Sequence, residues 1–228
     1  MSLSALFTKA NTLAILRGLG NTAIIALCGF AIGIIIGAFI ATIKAASKDS
    51  KTAVVFSKIA DIYLALFRGT PIIVQLLVFY YILFPLMGLT RVDRLVVAIV
   101  VFGLNSGAYV SEIIRAGIAA IDIGQYEAGR SLGLSTGTTL FKIVIPQALK
   151  NSIPSLGNEL ITLVKDTSVA GFITVVDLTV VMQQIANNAY EYTTPYLVLG
   201  AIYLIIVIAI TMIIKRVEKK LSVSDRSK

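Results

Sequence analysis

Apolar runs separated by short polar segments make up most of the chain. A helix that crosses a bilayer requires about 20 mostly apolar residues, so each long run is a candidate span. Five runs qualify, and they lie at about residues 21–43, 60–86, 95–116, 148–176 and 195–214. The pattern therefore predicts an all-α, polytopic membrane helix bundle with five transmembrane helices, in a single domain that covers residues 1–228.

The composition agrees with a membrane protein and narrows the chemistry. The 228 residues are 57% hydrophobic and 14% charged, whereas soluble proteins are about half apolar and about a quarter charged. The chain has no histidine and one cysteine, Cys28. These counts exclude a histidine or thiolate metal cluster and an intrachain disulfide, so we expect no metal site.

The basic residues are divided unequally between the two sides of the predicted bundle. Fourteen of the 20 lysines and arginines lie after the first span, after the third span or in the C-terminal tail, and four lie on the other side. Short loops rich in lysine and arginine stay in the cytoplasm. We therefore predict that the N-terminus is outside and the C-terminus is cytoplasmic. The net charge of +8 then results from the basic residues on the cytoplasmic side. A helix–turn–helix DNA-binding protein is excluded, because its hairpin would be tethered to the membrane at both ends.

The longest cytoplasmic loop, at about residues 117–147, is polar and contains the stretch "EAGRSLGLSTGTTLFKIVIP". Steps of three and four residues predict a short helix with a stripe formed by Ile118, Ile121, Gln125, Ala128 and Leu132. Gly133 predicts a left-handed end of that helix, and Ser135 predicts the cap of a second one. Pro146 predicts the end of the second helix.

The apolar side of this hairpin has to be covered. The second helix contributes Leu140, Phe141, Val144 and Ile145 to it. The cover is either the bundle of the same chain or a groove on another protein. The hairpin pattern alone leaves both possibilities open.

The order of residues in this loop resembles the loop shared by the membrane subunits of ATP-binding cassette importers. The family form is Glu-Ala-Ala, three residues, Gly, nine residues, Ile, one residue, Leu-Pro. The matching positions are Glu127, Ala128, Gly129, Gly133, Ile143, Ile145 and Pro146. Gly129 replaces the second alanine and Ile145 replaces the leucine. The segments "FRGTPIIVQLL", "AYVSEIIRAGI" and "LVKDTSVAGFI" look like blocks of amino-acid-type importer permeases, so the resemblance extends along most of the chain.

The resemblance implies a transport subunit that is not itself an enzyme. The loop would contact a cytoplasmic ATPase through Glu127, Ala128, Gly129, Gly133, Ile143 and Pro146, and ATP-driven movement would switch the bundle between inward- and outward-facing states. The chain carries no cofactor in this interpretation, because "GLSTGTT" lacks the Gly-Lys-Ser/Thr ending of a phosphate loop, so ATP and Mg²⁺ belong to the ATPase.

The partners and the location also follow from the resemblance. Two ATPase subunits, a second permease subunit and an extracytoplasmic amino-acid-binding protein are implied, together with membrane lipid and no nucleic acid. The second permease subunit is either an identical chain or a close relative. The location is the cytoplasmic (plasma or inner) membrane of a prokaryote, as a multi-pass protein.

Polar residues inside the predicted spans are the candidates for the translocation path. A charge at the bilayer centre costs about 2.5 to 3.5 kcal/mol on insertion scales, so such residues are functional candidates. On the fourth span Ser155, Glu159, Thr162 and Asp166 share one helical face, as do Asn105, Tyr109 and Glu112 on the third. The predicted substrate-binding or pathway residues are Glu159, Asn158, Asp61, Asn105, Thr162 and Asp166.

Other charged residues near the spans are predicted to have structural roles. Glu112 and Arg115 are three residues apart and are expected to form an ion pair. Arg68 is expected in an internal salt network with Asp61, and Lys165 is also assigned to structural pairing. For Asp166 a helix-locking role and a path role are equally favoured.

The charge balance indicates the substrate. The acids near the spans outnumber the bases by one, and Glu159 has no obvious local partner. A buried carboxylate without a partner either takes up a proton or binds a cation. The hypothesis is therefore a permease subunit for polar, basic amino acids of the arginine, lysine or histidine type. The alternative is an ion-coupled amino-acid carrier or channel that uses the intramembrane carboxylates.

Three further segments have predicted structural consequences. Gly29, Gly33 and Gly37 allow close helix packing, within the bundle rather than between subunits. Gly69 and Pro71 break the second span and free backbone groups for hydrogen bonding. The segment between the fourth and fifth spans is amphipathic and is predicted to lie flat on the outer face, either as a docking surface for the binding protein or as an interfacial anchor.

Overall fold

The computed structural model describes residues 3–46 and 51–226, and these ranges are almost entirely helical. The α-helices are α1 (Leu3–Leu6), α2 (Lys9–Ala46), α3 (Lys51–Gly69), α4 (Ile72–Val78), α5 (Phe84–Leu86), α6 (Arg94–Ala119), α7 (Ile123–Ser131), α8 (Thr136–Thr139), α9 (Ile145–Asp166), α10 (Leu178–Ala189) and α11 (Thr193–Arg226). Two π-helical segments, Phe79–Leu83 and Leu140–Val144, and a 3₁₀ helix, Thr167–Ile173, join some of them.

Helices α2 and α6 form the centre of the bundle through glycines on both sides of their contact. The glycines of α2 that face α6 are Gly29, Gly33 and Gly37, and those of α6 that face α2 are Gly103 and Gly107. A Cβ atom on Gly33 would lie 2.6 Å from Ser106 Oγ, so only glycine permits this approach. The prediction that the glycine stripe packs within the bundle is confirmed.

The number of crossings depends on two bent helix pairs. Three helices, α2, α6 and α11, are long and apolar enough to cross a membrane alone. The pairs Val54–Gly69 with Ile72–Leu86 and Thr136–Ile173 with Leu178–Ala189 are bent by 109° and 57°. By length and composition, the described residues therefore contain three candidate crossings, or up to five if each bent pair counts as one. The orientation relative to the cytoplasm stays a prediction.

The first and last spans are longer as helices than as apolar runs. Helix α2 begins at Lys9 rather than near residue 21, and α11 continues to Arg226 rather than ending near residue 214. Lysine and arginine favour helices nearly as much as leucine does. Hydropathy therefore measures the apolar part of each helix and not its whole length.

The predicted break of the second span lies between Gly69 and Ile72. Pro71 has no backbone N–H and disfavours the helical conformation of the residue before it. The freed carbonyl of Phe67 accepts hydrogen bonds from Gln75 Nε2 at 2.8 Å and from Asn105 Nδ2 at 3.3 Å. The prediction that this break frees backbone groups is confirmed. The two helices on either side of the break are bent by 109°, which is more than a kink within one span.

Both π-helical segments precede a proline. Pro85 and Pro146 each lie two residues after the end of a π segment. A proline in an α-helix removes one backbone hydrogen bond and contacts the preceding turn, and the wider π turn accommodates both effects. Residues 136–173 therefore form one continuous helical stretch. The prediction that Pro146 ends the second loop helix is wrong.

Helix α10 packs against the bundle. Its buried side chains are Leu178, Val181, Met182, Ile185 and Ala186. The first four of them lie in an apolar cluster with residues of α2 and α11, and Asn21 Nδ2 of α2 donates to Val176 O at 2.8 Å. Protein therefore covers this apolar face of α10, which argues against the interfacial anchor.

Candidate functional site

A small cavity lies where the break between α3 and α4 meets α6 and α9. Its volume is about 130 Å³, and its lining residues are Thr70, Pro71, Ile72, Asn105, Tyr109, Glu159, Thr162, Leu163 and Asp166. Four of the six predicted pathway residues therefore lie together, namely Asn105, Glu159, Thr162 and Asp166. Asn158 is exposed outside this cavity, because it lies on the neighbouring face of α9.

Two carboxyl groups line this cavity. Glu159 is 8% exposed, and one and two turns further along the same face of α9 lie Thr162 and Asp166. Ser106 on α6 lies beside the Glu159 carboxyl group, and its hydroxyl is buried. Within the described ranges neither Glu159 nor Asp166 forms an ion pair. The cavity therefore contains two carboxyl groups that no paired base neutralises.

Three other polar side chains of the cavity wall have already used their donors. Thr162 Oγ1 donates to Asn158 O at 3.0 Å, and Thr70 Oγ1 donates to Leu66 O at 2.7 Å. Asn105 Nδ2 donates both to Phe67 O and, at 2.9 Å, to Gln75 Oε1. What these side chains offer to a ligand is oxygen lone pairs, which accept hydrogen bonds.

A network of charged residues joins α2, α3 and α6 at the end of α6 that is distant from Arg94. Glu112 accepts hydrogen bonds from Arg115 at 2.8 Å and lies 3.6 Å from Arg68 and 3.9 Å from Lys44. Lys44 also pairs with Asp61 at 2.7 Å. The predicted pair of Glu112 with Arg115 is present, and Arg68 and Asp61 belong to one network as expected. They are linked through Lys44 and Glu112 rather than directly.

Two of the sequence predictions about charged residues differ from this structure. Asp61 belongs to the network and is 59% exposed, so it does not lie in the pathway cavity. Lys165 is exposed on α9, and the part of the chain that the structure describes gives it no ion pair. Lys44 is one of the basic residues that follow the first apolar run. It nevertheless lies within helix α2, because that helix continues past it.

A larger cavity adjoins the first. It has a volume of about 510 Å³, and Arg68, Glu112, Arg115 and Ser155 are among its lining residues. Tyr109 lines both cavities, and the Arg68 guanidinium carbon lies 5.8 Å from the centre of its ring. Tyr109 therefore forms part of the wall between the acidic cavity and the charged network.

The loop after α6 forms the predicted helical hairpin. Asp122 caps α7 by accepting a hydrogen bond from Gly124 N at 2.7 Å. Gly133 ends α7 with φ +79°, and the Ser135 hydroxyl accepts from Thr138 N at 3.1 Å at the start of α8. The predicted left-handed end and the predicted cap are both confirmed. The Asp122 cap was not predicted, although aspartate is common at this position.

The hairpin places its predicted contact residues partly on the surface. Glu127, Ala128, Gly133 and Pro146 are exposed. Gly129 is buried, because the side chains of Thr139 and Ile143 occupy the space beside it. Leu132 is 81% exposed, and Ile123 and Phe141 are exposed as well. The bundle therefore leaves much of the apolar side of the hairpin uncovered, which favours the second of the two possibilities for its cover.

Gln75 is the main residue of this site that the sequence analysis missed. It is 4% exposed and holds the break between α3 and α4 through Phe67 O, Thr70 O and Thr70 Oγ1. The signal was present, since Gln75 is the one polar residue in the apolar run "PIIVQLLVF". A polar side chain in such a run needs a buried partner.

Comparison with known proteins gives a consistent result over most of the chain. Residues 33–223 match the family described as "Binding-protein-dependent transport system inner membrane component". The arginine transport system permease protein ArtQ of Bacillus subtilis (strain 168) is 42% identical over 214 residues, which are 92% of this chain and 94% of that protein. The putative glutamine transport system permease protein GlnP of Rickettsia bellii (strain RML369-C) is 39% identical over 193 residues, 85% of this chain and 88% of that protein.

A solved structure has the same fold. The crystal structure of an amino acid ABC transporter with histidines contains a chain that is 34% identical to this one, with a TM-score of 0.85. The match covers 96% of this chain and 100% of that chain.

Proposed function

Because the chain belongs to the family of binding-protein-dependent transport system inner membrane components, we propose that it is the permease subunit of an ATP-binding cassette importer for basic amino acids. The observation that carries the substrate class is the cavity between the α3–α4 break, α6 and α9. Two carboxyl groups face it, and neither of them forms an ion pair within the described residues.

The hydrogen-bonding capacity of the cavity supports the same substrate class. Asn105, Thr162 and Thr70 offer acceptors, since their donors are bonded elsewhere. A guanidinium group has five N–H donors and no acceptor, and an ammonium group has three donors. A glutamine side chain has a carbonyl oxygen that requires a donor, so it fits this arrangement less well. The relatives named for arginine and for glutamine support an amino-acid substrate without distinguishing the two.

The hairpin is proposed to transmit ATP-driven movement to the cavity. Its exposed apolar residues, among them Leu132 and Phe141, would enter a cleft on a cytoplasmic ATPase, which binds ATP and Mg²⁺. The second half of the hairpin continues without interruption into α9, which carries Glu159. A displacement of the hairpin would therefore move one wall of the cavity directly.

The remaining partners follow from the family. Two ATPase subunits and a second permease subunit, either a second copy or a close relative, would complete the transporter in the cytoplasmic membrane. An extracytoplasmic binding protein would deliver the substrate at the end where Asn21, Asp93 and Thr174 line one depression. The apolar surface of α11 would face lipid or the second permease.

The proposal is tested with the chain purified together with its ATPase in lipid nanodiscs. L-Arginine, L-lysine, L-histidine and L-glutamine are added with the cognate binding protein, and ATP hydrolysis is measured. We expect the basic amino acids to stimulate hydrolysis and glutamine to have little effect. Stimulation by glutamine alone would overturn the basic class, and uptake driven by an ion gradient without any ATPase would support the carrier instead.

A pair of variants locates the site. Glu159→Gln removes a carboxylate from the cavity, and Asp61→Asn removes one from the charged network as a matched control. Loss of a charged hydrogen-bond partner weakens binding by about tenfold or more. We expect arginine binding, measured by microscale thermophoresis without the binding protein, to weaken in Glu159→Gln and to stay within about twofold in Asp61→Asn. Equal weakening of arginine binding in both variants would mean that this cavity is not the substrate site.

A further inference from the structure

Gln75 connects the broken helix to the cavity through an amide whose orientation is fixed. Its Nε2 donates to Phe67 O at 2.8 Å and to Thr70 O at 3.0 Å. Both of these atoms are backbone carbonyl oxygens, which only accept hydrogen bonds. The NH₂ group of Gln75 must therefore face the backbone of the break, and Oε1 must point in the other direction.

The fixed orientation of Gln75 in turn fixes Asn105. Gln75 Oε1 accepts from Asn105 Nδ2 at 2.9 Å, and the same nitrogen donates to Phe67 O at 3.3 Å. Both acceptors require the NH₂ group of Asn105. The oxygen Oδ1 is then the polar atom of this side chain that remains for a ligand, and Asn105 lines the cavity. Among the described residues, no donor is bonded to Oδ1.

We propose that Gln75 is a specificity-determining positioning residue, which makes Asn105 present an acceptor rather than a donor to the substrate. This inference rests on the proposed function of the cavity as a substrate site. Gln75 does not line the cavity and touches no substrate, so it acts through Asn105. Without Oε1 of Gln75, Asn105 keeps only the long hydrogen bond to Phe67 O. The Asn105 amide is then able to turn its NH₂ group toward the cavity.

Arginine and citrulline distinguish the two orientations of Asn105. Citrulline has nearly the same shape as arginine, but an uncharged ureido group with a carbonyl oxygen replaces the guanidinium group. An acceptor at Asn105 favours the N–H groups of arginine and opposes the ureido oxygen. A donor at Asn105 has the opposite preference, because a buried donor requires an acceptor.

The experiment measures the dissociation constants of L-arginine and L-citrulline for the permease–ATPase complex in nanodiscs without a binding protein. The variant Gln75→Met has nearly the same length and no hydrogen-bonding group. The control Gln75→Glu also loses the bonds to Phe67 O and Thr70 O, yet its carboxyl oxygen still accepts from Asn105. We expect Gln75→Met to reduce the preference for arginine over citrulline by about tenfold. We expect Gln75→Glu to keep a preference at least as high as that of the unaltered chain.

The outcomes separate this inference from simpler explanations. An equal loss of preference in both variants would mean that Gln75 only holds the helix break, and it would overturn the inference. If Gln75→Met does not assemble with the ATPase, Gln75→Leu takes its place, because the added negative charge of Gln75→Glu would itself favour arginine over citrulline. In an Asn105→Ala background, Gln75→Met should no longer change the ratio. Failure of the unaltered chain to prefer arginine would instead overturn the proposed function.

Discussion

At the scale of single residues, Gly129 departs from the importer loop pattern that this stretch resembles. That pattern has alanine at this position. Here a Cβ atom would lie 2.6 Å from Thr139 Cγ2, 3.0 Å from Thr139 Oγ1 and 3.2 Å from Ile143 Cδ1. The threonine occupies the space in which an alanine methyl group would lie. The two positions are therefore coupled, because an alanine at position 129 would overlap the Thr139 side chain.

This coupling predicts that restoring the family residue is harmful. Gly129→Ala should destabilise the protein by about 1 to 3 kcal/mol, the usual cost of overpacking. Thr139→Ala in the same chain should recover most of that loss, since Thr139 Oγ1 has no hydrogen-bond partner among the described residues. Thermal unfolding of the purified complex measures both effects.

Gly137→Ala provides the control, because nothing lies within 4 Å of its added Cβ atom. It should leave the unfolding temperature unchanged or raise it slightly, since alanine favours helices more than glycine does. If Gly129→Ala is as stable as Gly137→Ala, the proposed overlap with Thr139 does not exist.

At the scale of helices, the packing of α2 on α6 depends on the absence of side chains. Gly33→Ala would place a Cβ atom 2.6 Å from Ser106 Oγ and 2.7 Å from Ser106 Cβ. We expect a loss of about 1 to 3 kcal/mol, measured as the fraction of folded protein after stepwise heating in detergent. Gly20→Ala, in the same helix with open space around it, should have little effect. A similar loss in both variants would indicate a general sensitivity of α2.

The continuous helix from the hairpin to Glu159 predicts a separation of binding from coupling. Leu149→Gly with Lys150→Gly makes this helix flexible between the hairpin and the cavity, while Lys215→Gly with Arg216→Gly makes the same change in α11. Each glycine costs about 1 kcal/mol of helix stability. We expect the first pair to abolish arginine-stimulated ATP hydrolysis and to leave arginine binding intact. The α11 pair should retain stimulation, and its loss there would argue against a specific role of α9.

The sequence predicted helices well and their connections less well. Apolar runs located α2, α6 and α11, and the hairpin was predicted down to its cap at Ser135 and its left-handed end at Gly133. Bends depend on backbone geometry that hydropathy does not measure. The π segments, and with them the continuity across Pro146, therefore remained hidden.

The candidate site was predicted on each helix separately. Helical spacing placed Glu159, Thr162 and Asp166 on one face, and all three line the cavity. Spacing within a helix does not give the partners from other helices. For this reason Asp61 was assigned to the path although Lys44 holds it elsewhere, and the link from Gln75 to Asn105 was not foreseen.

At the scale of the whole molecule, charge is separated into an acidic cavity and a network rich in cations. The network contains three bases, Lys44, Arg68 and Arg115, and two acids, Asp61 and Glu112. Glu112 lies within 4 Å of all three bases. A cation that left the cavity past Tyr109 would therefore meet a region of like charge.

The central position of Glu112 predicts that its charge holds three helices together. Glu112→Gln leaves Asp61 as the remaining acid beside Lys44, Arg68 and Arg115, and we expect a lower unfolding temperature, equivalent to about 1 kcal/mol for partly exposed pairs. Added salt should reduce the difference, because it screens the repulsion. Asp61→Asn, which removes a partner of Lys44 alone, should have a smaller effect. A salt-independent loss would assign the effect to packing.

The π segment at Leu140–Val144 makes the orientation of the hairpin depend on the number of residues between the hairpin and the cavity. Each residue of an α-helix turns the chain by about 100°, and a π turn holds one residue more than an α turn. Removing one residue here would restore a regular α-helix and rotate everything before it by about 100° relative to α9. Glu127 and Leu132 would then point away from the side on which they now lie, while Glu159 stayed in place. A substitution in this segment should therefore disturb the hairpin far less than the insertion or deletion of a single residue.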